Sequence, residues 1–446
     1  MFIQFFYTES IAHLSYMLIA NDKSIVIDPK RDIQEYLDEA EKRNLEISGI
    51  FLTHPHADFV AGHIELSKET GAPIYAHKDA PFKFDFIPVD DDFTMTLNHL
   101  KIDGMTTPGH SPFDVSYVVT DTSRGEAPVS VFTGDTLFVN DIGRPDLFPG
   151  IQDQLAEQMF YSLQKLFKLP DFVEIYPAHA AGTLCGKKLA EKRSSTIGYE
   201  RLYNEITKIE NVKDFSAALL DDLPVIPRHF KRCAQINTEN IAPLKSLKPV
   251  KKIDFDTFKQ LENQAYIIDL RAYDRWPKGH IPNSYAFDFN HLPISQYAGW
   301  LLNPDKPILA LTDDSLNLDT LSIQFKRVGL DQDIYLLENA TETLSQNKTR
   351  LNTVPAILKE DFLELLKTKN IGLLDIRKEG QNDLEYEHYI NIPLMSLEEN
   401  LHQIDDAVPY VVFCDYGISS VAAASILQLL GKNNIRILAE GIQSVL

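Results

Sequence analysis

Cysteine is scarce in this chain of 446 residues, which contains only Cys185, Cys233 and Cys414, far apart in the sequence. An odd number of widely spaced cysteines excludes the disulfide framework on which small secreted domains depend. We therefore expect the protein to work in a reducing, cytoplasmic compartment.

Basic residues are also few. The chain has 43 lysines and arginines but 64 aspartates and glutamates, so its net charge is −21. This balance argues against a basic surface that would bind nucleic acid or an anionic membrane. Long apolar runs are missing as well, since none approaches the roughly 20 residues of a membrane span. The apolar residues 1–6 lack a basic region, so they predict a first strand rather than a signal peptide.

The chain is long enough for roughly three domains of about 150 residues each. Histidines are concentrated in the first half, where we predict one domain over residues 1–240. Residues 251–345 and 354–446 then share one order of features: a short helix, a strand ending in Asp-x-Arg, an Ile-Pro step and a late apolar strand. This shared order predicts a tandem repeat of one parallel α/β unit.

Hydrophobic periodicity predicts the local elements of the first domain. Apolar runs such as 47–52 predict strands, and residues 152–166 have the spacing of an amphipathic helix. Asp58 is predicted to cap a helix that ends near Thr70, residues 190–207 are predicted as one helix, and residues 236–250 as a linker. Polar side chains follow the strand ends, which predicts a layered α/β sandwich with its site along one edge.

Histidine and aspartate side chains form the clearest pattern in the first domain. The stretch His54-Pro55-His56-Ala57-Asp58 follows a predicted strand, and His110, Asp135 and His179 come at later turns or strand ends. Imidazole and carboxylate groups that converge on one point are what a metal ion requires. We therefore predict a metal site here, in preference to a surface loop that happens to contain histidines.

These motifs resemble those of the metallo-β-lactamase fold. They are Thr-His-Pro-His-Ala-Asp from position 53, Pro-Gly-His-Ser-Pro from 108, Gly-Asp-Thr from 134 and Pro-Ala-His from 177. Gly-Asp-Thr-Leu-Phe followed by Gly-Arg-Pro-Asp from 143 resembles more narrowly the persulfide dioxygenase branch. The resemblance implies an αββα sandwich and one Fe(II) per chain, held by His54, His110 and Asp135. Two imidazoles and one carboxylate leave open positions on iron for a thiol persulfide and for O₂.

Five further side chains are candidates to support these ligands or to line the substrate pocket: His56, Asp58, His179, Arg144 and Cys185. Arg144 either steadies an anionic substrate or forms an ordinary salt bridge within its loop. Cys185 precedes two lysines and a predicted helix start, so it either relays sulfur or simply packs.

A two-metal hydrolase of the glyoxalase II type is the rival within this fold. Such an enzyme has a histidine directly after the motif's aspartate, where this chain has Phe59, which has no donor atom. The second metal would keep only Asp58, His179 and a shared Asp135. His63, one helical turn further on, is either a replacement ligand or a packed helix residue.

The tandem repeat resembles the rhodanese domain, whose active loop begins with a cysteine at the end of the late strand. The middle repeat has Thr312 at that position and is predicted to be degenerate, a scaffold without sulfur chemistry. The last repeat has Cys414, which the resemblance makes the catalytic nucleophile. Ser419 replaces an arginine that rhodaneses often carry, which weakens the expected hold on thiosulfate or sulfite. The predicted persulfide loop comprises Asp415, Tyr416, Gly417, Ile418 and Ser419.

The whole chain resembles bacterial fusions of a persulfide dioxygenase with tandem rhodanese domains. The resemblance implies that a low-molecular-weight thiol persulfide is oxidised to sulfite, and that Cys414 passes a second sulfane sulfur to sulfite, giving thiosulfate in sulfide detoxification. We expect a homo-oligomer with no nucleic-acid or membrane partner. Two alternatives stay open: a thioester hydrolase with an accessory sulfurtransferase, and a non-enzymatic sulfur carrier.

Overall fold

A computed structural model describes residues 1–378, 380–381 and 384–446. The chain divides into two compact units, the first formed by residues 1–247 with 326–329 and the second by residues 248–325 with 330–446. Among the described residues, no helix is both long enough and apolar enough to cross a membrane.

Two mixed six-stranded sheets form the centre of the first unit. The first sheet has its strands in sequence order: β1 (Phe2–Thr8), β2 (His13–Ala20), β3 (Lys23–Ile27), β4 (Glu46–Phe51), β5 (Ile74–His77) and β6 (Ile87–Val89). The second sheet runs from its last strand to its first and contains β7 (Thr94–Leu97), β8 (Leu100–Thr106), β9 (Val115–Asp121), β10 (Ser130–Gly134), β11 (Glu174–Pro177) and β12 (Ser195–Thr196).

Successive side chains along a strand point to opposite faces of its sheet, so one strand contributes to two hydrophobic cores. Leu18 of the first sheet and Val119 of the second lie in one buried cluster between the sheets. Val118, one position earlier on the same strand, points to the opposite face and packs with Met159 and Phe215. The helices of this unit are α1 (Gln34–Arg43), α2 (His63–Thr70), α3 (Gln152–Leu166), α4 (Ile197–Tyr203), α5 (Val212–Leu220) and α6 (Arg228–Thr238). Helices outside two facing sheets confirm the predicted αββα sandwich.

The second unit contains two five-stranded parallel sheets with the same strand topology. The first runs β13-β17-β16-β14-β15 and the second β18-β22-β21-β19-β20. Their strands are β13 (Lys251–Lys252), β14 (Tyr266–Asp269), β15 (Ser284–Ala286), β16 (Ile308–Leu311), β17 (Ile334–Leu337), β18 (Ala356–Ile357), β19 (Gly372–Asp375), β20 (Tyr389–Asn391), β21 (Tyr410–Phe413) and β22 (Ile435–Leu438). The helices are α7 (Phe255–Leu261), α8 (Ile294–Leu301), α9 (Leu318–Lys326), α10 (Ala340–Gln346), α11 (Lys359–Thr368) and α12 (Ile418–Leu429). The shared topology confirms two α/β domains of one plan.

Three local predictions are wrong. Asp58 does not cap α2, which begins at His63 after Gly62 and has no side-chain cap. Residues 190–207 do not form one helix, because β12 pairs with β11 and Thr196 then caps the short α4 through the backbone N–H of Tyr199. The predicted linker begins too early, since α6 continues to Thr238.

Candidate functional site

His54 is held in one tautomer by the residues before it. The backbone N–H and the Oγ1 hydroxyl of Thr53 both donate to Asp28, at 2.8 and 2.7 Å. Because its only proton goes to Asp28, Thr53 Oγ1 accepts from His54 Nδ1 at 2.9 Å. The lone pair of His54 Nε2 is therefore left facing the site.

His110 is oriented in the same way by a different loop. Its backbone N–H donates to Asp114 at 2.9 Å, and its Nδ1 donates to the Arg144 carbonyl at 2.9 Å. A carbonyl can only accept, so the lone pair of His110 lies on Nε2. Gly143 makes this approach possible, because a Cβ there would lie 3.0 Å from the His110 ring and 2.1 Å from the Asp135 carbonyl.

Asp135 follows β10 and completes a group of three buried side chains. Its Oδ2 lies 3.7 Å from His54 Nε2 and 3.5 Å from His110 Nε2. Among the described residues, neither Asp135 Oδ2 nor His54 Nε2 has a hydrogen-bond partner. Ligands about 2.1 Å from one ion lie roughly 3.0–3.6 Å apart, so these three atoms fit a metal ion. The structure thus brings His54, His110 and Asp135 together as a possible ligand set.

His179 follows β11 and bridges two carboxylates. Its Nδ1 donates to Asp135 Oδ1 at 2.7 Å, and its Nε2 donates to Asp58 Oδ2 at 2.8 Å. Burial lowers the pKa of His179, but the charges of Asp135 and Asp58 outweigh it and hold the pKa well above its ordinary value. His179 thus links Asp58 to Asp135 and orients the Asp135 carboxylate, and it also belongs to two possible metal groups of the described residues.

The place next to Asp58 is filled by an aromatic ring. Phe59 is fully buried, and its ring centroid lies 4.2 Å from that of His13 and 4.6 Å from that of His56. His56 is within 3.2 Å of Asp28 and belongs with Asp58 and His179 to a second possible metal group. It lies outside the group of His54, His110 and Asp135.

His13 is a residue of this site that the sequence did not reveal. It is fully buried, with its ring centroid 5.5 Å from those of His56 and His179. Neither of its ring nitrogens has a hydrogen-bond partner among the described residues. A β-bridge to His179 brings it here, and no local sequence signal predicts such a long-range contact.

The guanidinium of Arg144 is hydrogen-bonded to other residues of the protein. Its Nε and Nη2 donate to the two oxygens of Asp146, each at 2.7 Å, and further bonds go to the carbonyls of Leu184 and Pro224 at 3.3 and 2.5 Å. The structure therefore favours the loop salt bridge over a contact with substrate.

Cys185 lies beside Asp135 and His179, but it does not begin a helix. Burial and the charges of Asp58 and Asp135 raise the pKa of its thiol well above the ordinary value. The backbone N–H groups of the two lysines after it donate to Asp141, both at 2.6 Å. The predicted helix start after Cys185 is therefore wrong, and of the two alternatives for this thiol the structure favours packing over sulfur relay.

His63 is a packed residue rather than a replacement ligand. Its ring centroid lies 4.8 Å from that of Phe84, and burial lowers its pKa to about 3. It belongs to none of the possible metal groups of the described residues.

Cys414 follows β21 directly, and its Sγ accepts two hydrogen bonds. Gly417 N–H donates at 3.2 Å and Ser420 Oγ at 3.1 Å. Gly417 has φ of +86°, and a Cβ there would lie 2.0 Å from the Ala439 carbonyl, so the turn requires glycine. α12 begins at Ile418, which places the sulfur at a helix N-terminus where a thiolate is stabilised.

The other predicted loop residues have separate contacts. Asp415 lies 3.2 Å from Arg377 Nη1, and Tyr416 is 69% exposed. Ser420, whose hydroxyl donates to Cys414 Sγ, was not predicted. In the middle repeat, Thr312 follows β16 where the last repeat has its cysteine.

Comparisons with known proteins match both parts of the chain. The model of the metallo-beta-lactamase superfamily matches residues 11–179, and that of the rhodanese-like domain matches residues 255–346 and 358–446. A hydroxyacylglutathione hydrolase of Pelagibacter ubique is 30% identical over 249 residues, which are 52% of this chain and 93% of that protein. A probable polyketide biosynthesis zinc-dependent hydrolase, BaeB of Bacillus velezensis, is 28% identical over 45% of this chain and 86% of that protein.

A solved structure extends the similarity beyond the first unit. The metallo-beta-lactamase from Staphylococcus aureus subsp. aureus COL is 28% identical and covers 75% of this chain and 98% of its own, with a TM-score of 0.67. The chain thus belongs to the metallo-beta-lactamase superfamily, and rhodanese-like domains follow its metallo-beta-lactamase-fold domain.

Proposed function

We propose that this protein is a persulfide dioxygenase coupled to a sulfurtransferase. One Fe(II) would be held by His54, His110 and Asp135, and a thiol persulfide would be oxidised to sulfite. Cys414 would then transfer a sulfane sulfur from a second persulfide to sulfite, giving thiosulfate. The expected role is sulfide detoxification in the cytoplasm.

The observation that carries this proposal is the hydrogen bonding of His179. Both of its nitrogens donate to carboxylates, and Phe59 contributes no donor atom beside it. A second metal would therefore lack the imidazole that the hydrolase alternative has directly after the motif's aspartate, and it would have to displace a hydrogen bond of His179. One ion with two imidazoles and one carboxylate is the arrangement typical of non-haem Fe(II) oxygenases.

Bound Fe(II) would supply open positions for a persulfide sulfur and for O₂. Thr53 and the Arg144 carbonyl fix the tautomers of the two ligand histidines, and His179 fixes the Asp135 carboxylate. The overall reaction takes a persulfide, O₂ and water to a thiol, sulfite and two protons. The persulfide sulfur is oxidised and O₂ is reduced, so no other oxidant is required.

The transferase step rests on the two donors to Cys414. In a cysteine persulfide, sulfite attacks the outer sulfur, and the sulfur–sulfur bond breaks with its electron pair going to Sγ. The Gly417 N–H and the Ser420 hydroxyl, which already point at Sγ, would stabilise the thiolate that leaves.

A metal-dependent thioester hydrolase is the second candidate. The names of the relatives favour it, since the matched proteins include hydroxyacylglutathione hydrolases and a zinc-dependent hydrolase. The atoms of His56, Asp58 and His179 also lie within 4.8 Å of one another. For this candidate, His179 would have to give up at least one of its two hydrogen bonds.

Parallel assays separate the two candidates. Iron-loaded protein receives glutathione persulfide in one assay and S-lactoylglutathione in another, each in air and under argon. We expect O₂ uptake with sulfite and thiosulfate from the persulfide in air, and negligible cleavage of the thioester. Thioester cleavage that is equally fast under argon, without O₂ uptake on the persulfide, would overturn the proposal.

A further inference from the structure

The loop that carries His56 and Asp58 needs partners for its own backbone. Residues 52–60 form neither helix nor strand, yet His56 and Phe59 are buried. A buried carbonyl or N–H group that is left without a hydrogen bond costs free energy, so such a loop depends on donors and acceptors from elsewhere in the chain. A single side chain supplies three of these hydrogen bonds.

That side chain is Asn237. Its amide nitrogen donates to the carbonyls of His56 and Phe59 at 2.8 and 2.7 Å, and its Oδ1 accepts from the N–H of Ala61 at 2.8 Å. A carbonyl can only accept and an N–H can only donate, so these three partners fix which end of the amide carries the nitrogen. Asn237 thus spans the loop from His56 to Ala61.

The buried face of α6 carries this amide. The buried residues of the helix recur every three or four positions, as on the apolar face of an amphipathic helix: His229, Phe230, Cys233 and Asn237. Asn237 is only 1% exposed, although it is polar. A buried amide is stable only when its hydrogen bonds are made, and here they are made to the loop.

The loop connects Asn237 to the predicted metal ligands. Asp58 lies in the sequence between the two carbonyls that Asn237 holds, and its Oδ2 accepts from His179 Nε2 at 2.8 Å. His179 Nδ1 in turn donates to Asp135 Oδ1 at 2.7 Å. The position of Asp58 therefore affects how His179 orients the Asp135 carboxylate.

We propose that Asn237 is a positioning residue of the metal site, which holds residues 56–61 so that Asp58 and His179 orient Asp135 toward the ion. This inference rests on the metal site of the proposed function but not on its reaction, because iron binding is measured without substrate and without O₂. Asn237 belongs to none of the possible metal groups of the described residues, so it acts through the loop and not as a ligand.

The test measures the iron affinity of the full-length protein by competition with a chelator under argon. In Asn237→Ala we expect iron affinity about tenfold weaker than in the wild type, within the range for residues that orient metal ligands. Asn237→Asp keeps the size of the side chain but loses both N–H donors, so it should weaken iron binding as well. Asn391→Ala is the matched control, because the Asn391 amide also donates to two backbone carbonyls, those of Asp375 and Arg377, both at 3.1 Å, in the second unit.

Two further measurements separate positioning of the loop from general stability. Because Asn237 acts through Asp58, adding Asn237→Ala to Asp58→Asn should weaken iron binding by less than twofold beyond Asp58→Asn alone. Hydrogen exchange of the wild type, followed by mass spectrometry, should show residues 56–61 protected equally with and without iron, since Asn237 and not the ion orders the loop.

Three results would overturn the inference: wild-type iron affinity in Asn237→Ala or Asn237→Asp, additive losses in the double variant, or fast exchange of the loop in metal-free protein. If the variants do not fold, the exchange measurement on the wild type still decides. A wild type that binds no iron would refute the proposed function and the inference together. Iron that binds the wild type and Asn237→Ala equally well would refute the inference alone.

Discussion

Asp58→Asn tests whether Asp58 supports the metal site from outside or binds a metal itself. The Asp58 carboxylate accepts from His179 Nε2 at 2.8 Å, and His179 in turn donates to Asp135 at 2.7 Å. Asparagine keeps the shape but has a neutral oxygen, so a charge-assisted hydrogen bond becomes an ordinary one. The loss is about 1.5 kcal/mol, or roughly tenfold in iron affinity, within the range for residues that orient metal ligands.

The assay is competition with a chelator in the absence of oxygen, combined with metal counting by mass spectrometry. We expect iron affinity about tenfold weaker than in the wild type, with one iron per chain at saturation in both. Asp121→Asn is the control, because Asp121 is a buried aspartate of the same unit that bonds to Ser123 outside the possible metal groups. If the wild type binds two metals and Asp58→Asn binds one, Asp58 is itself a ligand and does not act through His179.

Three further predictions concern single residues. Cys414→Ser should leave O₂ uptake on a persulfide unchanged while sulfite replaces thiosulfate, and unchanged thiosulfate would remove Cys414 from the mechanism. Both cysteines are buried, and iodoacetamide should label Cys414 in the native protein well before Cys185, because the raised pKa of Cys185 keeps it a thiol; comparable labelling, read by peptide mass spectrometry, would contradict this. The pKa of His63 is lowered from 6.5 to about 3, so protonation of the unfolded chain should cost the wild type about 2 kcal/mol between pH 6.5 and 5. Urea unfolding of His63→Phe should lack that loss, and parallel slopes for the two proteins would refute it.

The group of His54, His110 and Asp135 could be predicted from sequence because each side chain follows a strand end or a tight turn. Sequence also placed Cys414 correctly between a strand and a helix, since that position depends on local order alone. His13 could not be found this way, because it reaches the site through a bridge between β2 and the segment after β11.

Two local rules failed where a tertiary interaction was stronger. Aspartate before a helix usually caps it, but Asp58 gains more from the buried imidazole of His179 than from a backbone N–H. Lysines near a cysteine usually favour the thiolate, but two buried carboxylates and desolvation dominate at Cys185. Neither partner is close in sequence, so neither outcome follows from local pattern.

The most direct test of the central claim is the metal content of protein purified without oxygen or chelators, measured together with its O₂ uptake on a thiol persulfide. We expect one iron per chain and O₂ uptake in proportion to that iron, with both lost in His110→Ala. Two tightly bound zinc ions per chain, in protein that consumes no O₂, would contradict it.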